Sequence, residues 1–255
     1  MKNLILSELN RIINRKKNKI LLIISIIVFF ISAFFIKLFQ VGFYDQITTM
    51  PLNSLNFPPF LLREYHLFII LVLCPTIFIE SFNHENTSGC YRNIMLRPFS
   101  KFEFFISKII SCSLISALFI FSIFVLSTIY GYIFLPKVEY TNFFNINNTF
   151  SSLESFFYNF KFYLLEYLII LSFLGISCLT SLTNKNSTLA FLGSIGVCIG
   201  LLYLSDKLSF LLFSTPSIFD MLSNTNNYVF IYSSLIIIIT ISISIIIFIK
   251  KDYLY

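Results

Sequence analysis

The chain of 255 residues is 57% hydrophobic, holds 33 Phe and no Trp, and has a mean hydropathy of +0.85. Only 12% of its residues are charged, about half the share of a soluble domain, which is too few to cover a folded surface and excludes a water-soluble enzyme. The net charge of +6 is gathered in a few segments, so its placement says more than its sum.

Residues 2–18 read KNLILSELNRIINRKKN. Leu4, Ile5, Leu9, Ile12 and Ile13 recur at helical spacing, and Asn3, Ser7, Glu8, Asn10, Arg11 and Asn14 fill the opposite face. Basic residues flanking an apolar stripe describe a helix lying in a membrane surface, expected over 1–19.

A spanning helix needs about 20 apolar residues, because a helix pairs internally the backbone groups that lipid cannot solvate. Six segments qualify: 20–39, 60–82, 107–134, 163–183, 187–205 and 228–249. The first apolar run is too long for a signal-peptide core and no small-residue cleavage site follows it, so it is expected to stay as a span. The second is the weakest, since Pro75 interrupts it and Arg63, Glu64 and Glu80 lie near its ends. Thirteen Lys and Arg fall in the segments on the N-terminal side of the membrane and five on the other, which predicts both termini in the cytoplasm. The expected fold is an all-α integral membrane protein: one six-span domain over 1–255 with both termini cytoplasmic. The basic excess is a topology signal, and no nucleic-acid partner follows from it.

The connections differ in kind. Residues 135–161 form the longest outer loop, with turn formers and no clear period. The connection around Lys185 is short enough for a tight hairpin between spans four and five. Within 207–227 the run Leu208–Phe219 is apolar but too short to cross, and Pro216 breaks it; a re-entrant or interfacial segment and a plain covering loop both fit. Of the five cysteines, Cys74, Cys112, Cys178 and Cys198 sit in apolar runs and Cys90 in a polar one, without metal or redox spacing.

The inner loop after span two is the most specific stretch. Thr87 or Ser88 caps a short helix from Cys90 to Leu96, Pro98 prevents its continuation, and Ser100 with Glu103 forms a capping box that starts the third span. A short helix held over 84–100 between two spans is a mechanical handle for a soluble partner. The string T-S-G-C-Y-R-N-I-M-L-R-P-F-S-K over 87–101, with Glu85 before it and Ser107-Lys108 after it, resembles the signature of type-2 ABC exporter permeases. Many of these read roughly E-x-x-G-T-Y-R-x-I-L-x-R-P-I-S-R there; Cys90, Phe99 and Lys101 depart from that pattern. The resemblance implies that two permease subunits pair, and that each docks a separate ABC ATPase through the helix after span two. ATP and Mg then belong to the ATPase partner, and no cofactor to this chain, which has no G-x-x-x-x-G-K-[ST] string. Glu85, Tyr91, Arg92, Met95 and Arg97 are the expected ATPase contacts.

Other constellations are weaker. Gly193, Gly196 and Gly200 fall on one face of span five and suit close helix packing, within the subunit or along a subunit interface or substrate path. Glu80 and Glu166 read as groups near helix ends, packed or interfacial, and not as a proton relay. His66 and His84 stand apart without matching ligands, so no metal site is expected. The reading is a permease subunit of an ATP-driven exporter for amphipathic or hydrophobic cargo, such as an antimicrobial peptide, a drug or a lipid. The Ile-, Phe-, Asn-, Lys- and Tyr-rich composition points to the plasma membrane of a low-GC bacterium. The alternatives are an ATP-independent membrane immunity or lipid-binding protein, or a membrane enzyme; an enzyme needs convergent polar groups in the bilayer, and a secondary carrier needs buried ionisable residues.

The orientation is testable with the five native cysteines replaced. A cysteine at Asn93 is expected to resist an impermeant thiol reagent in intact cells while one at Asn147 reacts. Labelling at Asn93 alone reverses the topology.

Overall fold

The computed structural model describes residues 1–44, 48–91, 99–144, 146 and 148–251. Helix α1 (Lys2–Asn14) ends where Arg15 turns extended, and α2 (Lys16–Phe39) follows at once. A hairpin of β1 (Val41–Phe43) and β2 (Thr49–Pro51) leads to α3 (Phe57–Thr87). Then come α4 (Lys101–Phe134), a second small hairpin of β3 (Tyr140–Thr141) and β4 (Phe150–Ser151), and α5 (Ser152–Thr183). Helix α6 (Ser187–Leu204), a 3₁₀ turn at Asp206–Leu211, α7 (Ser214–Leu222) and α8 (Tyr228–Lys250) complete the chain.

Among the described residues, α2, α3, α4, α5, α6 and α8 are long and apolar enough to cross a membrane. They match the six expected spans and establish an all-α membrane fold. Two of them, α4 and α5, start well before their apolar runs, at Lys101 and Ser152. The expected capping box forms at the head of α4: Ser100 Oγ accepts from the Glu103 amide at 3.1 Å and Glu103 accepts from the Ser100 amide at 3.2 Å. The same device, unforeseen, starts α5, where Glu154 accepts the Ser151 amide at 2.9 Å. The outer loop expected over 135–161 is therefore helical from Ser152 onward. Nor does Pro75 interrupt the second span. A π-helical turn at Ile69–Leu73 carries the Cys74 amide to the Ile69 carbonyl, so the proline enters a freshly started α segment where its missing N–H is harmless.

The bundle is layered around two helices. In both α3 and α5, 67% of the most apolar window is buried, against 17% in α6 and α8. The inner pair carries the polar side chains of the interior, and the outer helices turn Ile, Leu and Phe outward, as a lipid-facing surface requires. At one end of the bundle Phe60, Phe144, Phe162 and Tyr44 pack around Phe219 of α7, with Phe162 and Phe219 centroids 5.0 Å apart. Within 207–227 the chain forms the 3₁₀ turn and α7, and Phe210, Leu211, Ile218 and Phe219 are buried. Pro216 does not break this segment, because it lies in the first turn of α7, where amides have no intrahelical partner.

Helix α8 lies along α5 at very close range, and a glycine permits it. A side chain added at Gly175 would run into Thr240 of α8, and Ser172 Oγ donates to the Ser233 carbonyl at 3.2 Å across the same seam. Gly175→Leu is expected to lower the unfolding free energy in micelles by about 1–3 kcal/mol. Gly196→Leu, on an α6 face with nothing within 4 Å, is expected to change it little. Equal losses in a denaturation series would place the close contact elsewhere.

Candidate functional site

Lys108 sits two turns into α4 on a face that the capping box has aimed at the bundle, and it is 0% exposed. A lysine so buried persists only if paired and fully hydrogen-bonded. Its Nζ donates to Glu8 of α1 at 3.1 Å, to the Ser81 carbonyl at 3.0 Å, and to Glu85. The rings of Phe104 and Tyr91 lie 4.9 Å and 5.2 Å from the same ammonium, which adds attraction to their electron-rich faces.

Glu85, 1% exposed near the end of α3, is the other hub. It also pairs with Arg15 at the α1–α2 break and with Arg11 of α1, the latter at 2.5 Å. Arg11 in turn binds Glu8 three residues earlier, the spacing that places two side chains on one helical face. Two carboxylates thus hold three cations, and the surplus positive charge falls where Arg11 reaches the surface, 28% exposed. The π-helical turn at Glu80–His84 contributes acceptors: the Ser81 carbonyl serves Lys108, and the Phe82 carbonyl accepts from Tyr91 Oη at 2.9 Å. Helices α1, α3 and α4 are therefore joined through one desolvated charge cluster. Lys101 at the start of α4 donates to the Lys251 carbonyl at 2.8 Å, which brings the end of α8 to the same place.

The expected site residues divide. Arg92, Met95 and Arg97, along with Asn93 and Asn147, lie outside the described residues. Glu85 and Tyr91 differ from the outward contacts expected of them. Both are buried at 1%, Glu85 because three cations surround it, and Tyr91 because it packs edge-on against Phe104 and Phe248 with centroids at 5.3 Å and 5.8 Å. Glu8, assigned to a solvated face, is 3% exposed beneath α1. Gly193 faces Asn184 and Thr180 of its own subunit, whereas Gly196 and Gly200 open onto free space. Lys17 reaches Glu80 at 3.6 Å with its own side chain 71% exposed.

Two further corrections concern the middle of the bundle. Glu166 is at no helix end; it lies midway along α5, 0% exposed. His66 does not stand apart, since its Nδ1 contacts Glu166. The spans therefore do bury an ionisable pair. Neither this pair nor the Lys108 cluster was visible in spacing, because the partners are about 100 residues apart. A lysine inside the apolar string F-I-S-K-I-I-S was the one local hint, as a charge there calls for a partner.

Six membrane-length helices, two of them central, with a surface helix bolted to the head of the third, define a multi-pass membrane protein. Residues 13–205 match the model of the ABC-2 family transporter protein, and the chain belongs to that family. It is thus a membrane permease subunit of an ABC transporter. A comparison with curated proteins returned no match.

Removing one partner of a buried ion pair leaves an uncompensated charge. Lys108→Ala, which strands both carboxylates, is expected to lower the unfolding free energy by about 3–5 kcal/mol. Lys17→Ala, at the solvated pair with Glu80, is expected to cost less than about 1 kcal/mol. Chemical denaturation of the two variants in one detergent compares them, and similar midpoints would remove Lys108 as the organising charge.

Proposed function

We propose that this permease subunit belongs to an ATP-driven exporter and couples to a separate ATPase through residues 84–100, with α1, α3 and α4 moving as one block. The observation that carries this reading is the cluster of Glu8, Arg11, Arg15, Glu85 and Lys108, which ties both flanks of that loop to the surface helix. The loop leaves α3 just beyond Glu85 and enters α4 at the Ser100 cap, eight residues before Lys108. A push on the segment between them is delivered to both spans together, because separating them would expose paired charges in a desolvated site. Gly89 has φ +76°, a left-handed turn that suits glycine and sets the exit direction from α3. Glu85 and Tyr91 then act as positioning residues, holding the loop against the bundle, while Arg92, Met95 and Arg97 supply contacts to the ATPase.

A second permease subunit completes the translocation path, and the open face at Gly196 and Gly200 is a surface on which it fits. The cargo is amphipathic or hydrophobic, a peptide, drug or lipid, a reading supported by exposed aromatic side chains at both hairpins, Phe43 at one and Tyr140 at the other. The setting is a bacterial plasma membrane with residues 84–100 in the cytoplasm, and ATP with Mg sits on the partner.

Purified alone, the protein is expected to hydrolyse no ATP, and with its ATPase in a bilayer to support hydrolysis that responds to cargo. Arg92→Glu should leave the protein at normal level in the membrane yet unable to retain the ATPase, since charge reversal in a close contact costs several kcal/mol. Turnover by the isolated chain, or unchanged ATPase retention in both Arg92→Glu and Tyr91→Ala, would overturn the coupling role.

A further inference from the structure

His66 of α3 and Glu166 of α5 meet deep in the bundle at 2% and 0% exposure, remote from the Lys108 cluster. The His66 ring has a neighbour on each nitrogen. Nδ1 contacts Glu166 Oε1 and lies 3.1 Å from Ser214 Oγ, while Nε2 lies 3.3 Å from the Leu211 carbonyl oxygen. Two central spans and the head of α7 therefore converge on one imidazole.

The partners dictate a proton count. A carbonyl oxygen only accepts, so Nε2 must carry a hydrogen to serve Leu211. Across the Nδ1–Oε1 contact one atom must also donate. Either an imidazolium faces a carboxylate, or a neutral imidazole accepts from a carboxylic acid. Both arrangements hold the same protons and a net charge of zero. Adding a proton leaves a net positive site, and removing the shared one leaves a net negative site in which two acceptors face each other. Each puts an uncompensated charge where no water reaches, a state the interior strongly disfavours.

Among the described residues the surroundings offer no other charge to absorb the change. The titratable groups facing Glu166 are Cys74 of α3 and Tyr163 one turn earlier on α5, both neutral acids. On α7, Asp220 is engaged by Tyr44; Asp206 and Lys207 are exposed at the start of the 3₁₀ turn. On α3, Arg63 donates to the Phe43 carbonyl at 2.7 Å and Glu64 is turned outward, 51% exposed. Glu166 Oε2 has no hydrogen-bond partner among the described residues, so a full carboxylate charge would be served on one oxygen only.

We infer that His66 and Glu166 form a binding site for a single shared proton, and that this proton fastens the segment from Leu211 to Ser214 onto α3 and α5. The segment is docked while the pair is neutral and released when the proton is lost or a second one is gained. Ser214 and Leu211 are the contacts through which release is felt, because they are the only bonds His66 makes outside the two central helices among the described residues. This site is independent of the coupling role proposed for residues 84–100, and either can fail without the other.

The chain contains no Trp, so Phe213→Trp, at a position 55% exposed beside Ser214, installs a single fluorophore without disturbing the pair. The full-length protein in phosphatidylcholine nanodiscs is titrated from about pH 4 to pH 9, a range that brackets the ordinary values of both groups. The expected emission is constant over a middle plateau and shifts to the red by several nanometres on at least one side, with the steepness of one proton. Adding Glu166→Gln, which has no shared proton to lose, should abolish any alkaline shift. The double change His66→Gln with Glu166→Gln, hydrogen-bonding but untitratable, should leave emission flat throughout. A flat profile in the Phe213→Trp parent, or a pH response that survives the double change, overturns the proposal.

Discussion

The end of the bundle that carries α1 depends on one constraint: the ammonium of Lys108 has no access to water. A charge in that position must be neutralised and its donors occupied. Meeting that demand draws Glu8 from the surface helix, Glu85 from the end of α3, and a carbonyl freed by a π-helical turn. Because Glu85 carries more acceptor capacity than one lysine uses, it also recruits Arg11 and Arg15, which fixes where α1 stops and α2 begins. Satisfying one side chain thus sets the mutual position of four helices.

The opposite end is held differently. There the two hairpins and α7 close over the bundle through aromatic packing around Phe219, with polar bonds to match. Asn53 Nδ2 donates to Thr141 Oγ1 at 2.8 Å, and Asn159 Nδ2 donates to the Leu55 carbonyl at 2.8 Å. Packing of this kind is built from many weak contacts and can rearrange by degrees, whereas a desolvated charge cluster moves as a unit or breaks. One end of the bundle is thus held by a desolvated charge cluster and the other by aromatic packing, and the His66–Glu166 pair is remote from the cluster.

Much of this was legible in the residues themselves. Six spans follow from apolar run length, because lipid leaves the backbone no alternative to internal pairing. The Ser100–Glu103 box was readable from its three-residue spacing, since a cap is a local interaction. The family likeness rested on the letters of 80–108 and on the six-span layout, and the family match over 13–205 bears it out. The box at Ser151–Glu154 has the same spacing, but it lies in a stretch rich in turn formers, where the local pattern alone does not single it out.

What tertiary structure alone decided is which polar groups in those spans pair in the interior and which lie at ends or on the surface. By sequence, Glu8 belonged to a solvated face, Lys108 to a topology tally, Glu166 to a helix end and His66 to no partner. Each lies far along the chain from the group it binds, and periodicity within one helix carries no information about what crosses from another. Hydropathy specifies that helices form and cross. The pairing of buried charges depends on which faces meet, and that is set only when the helices pack.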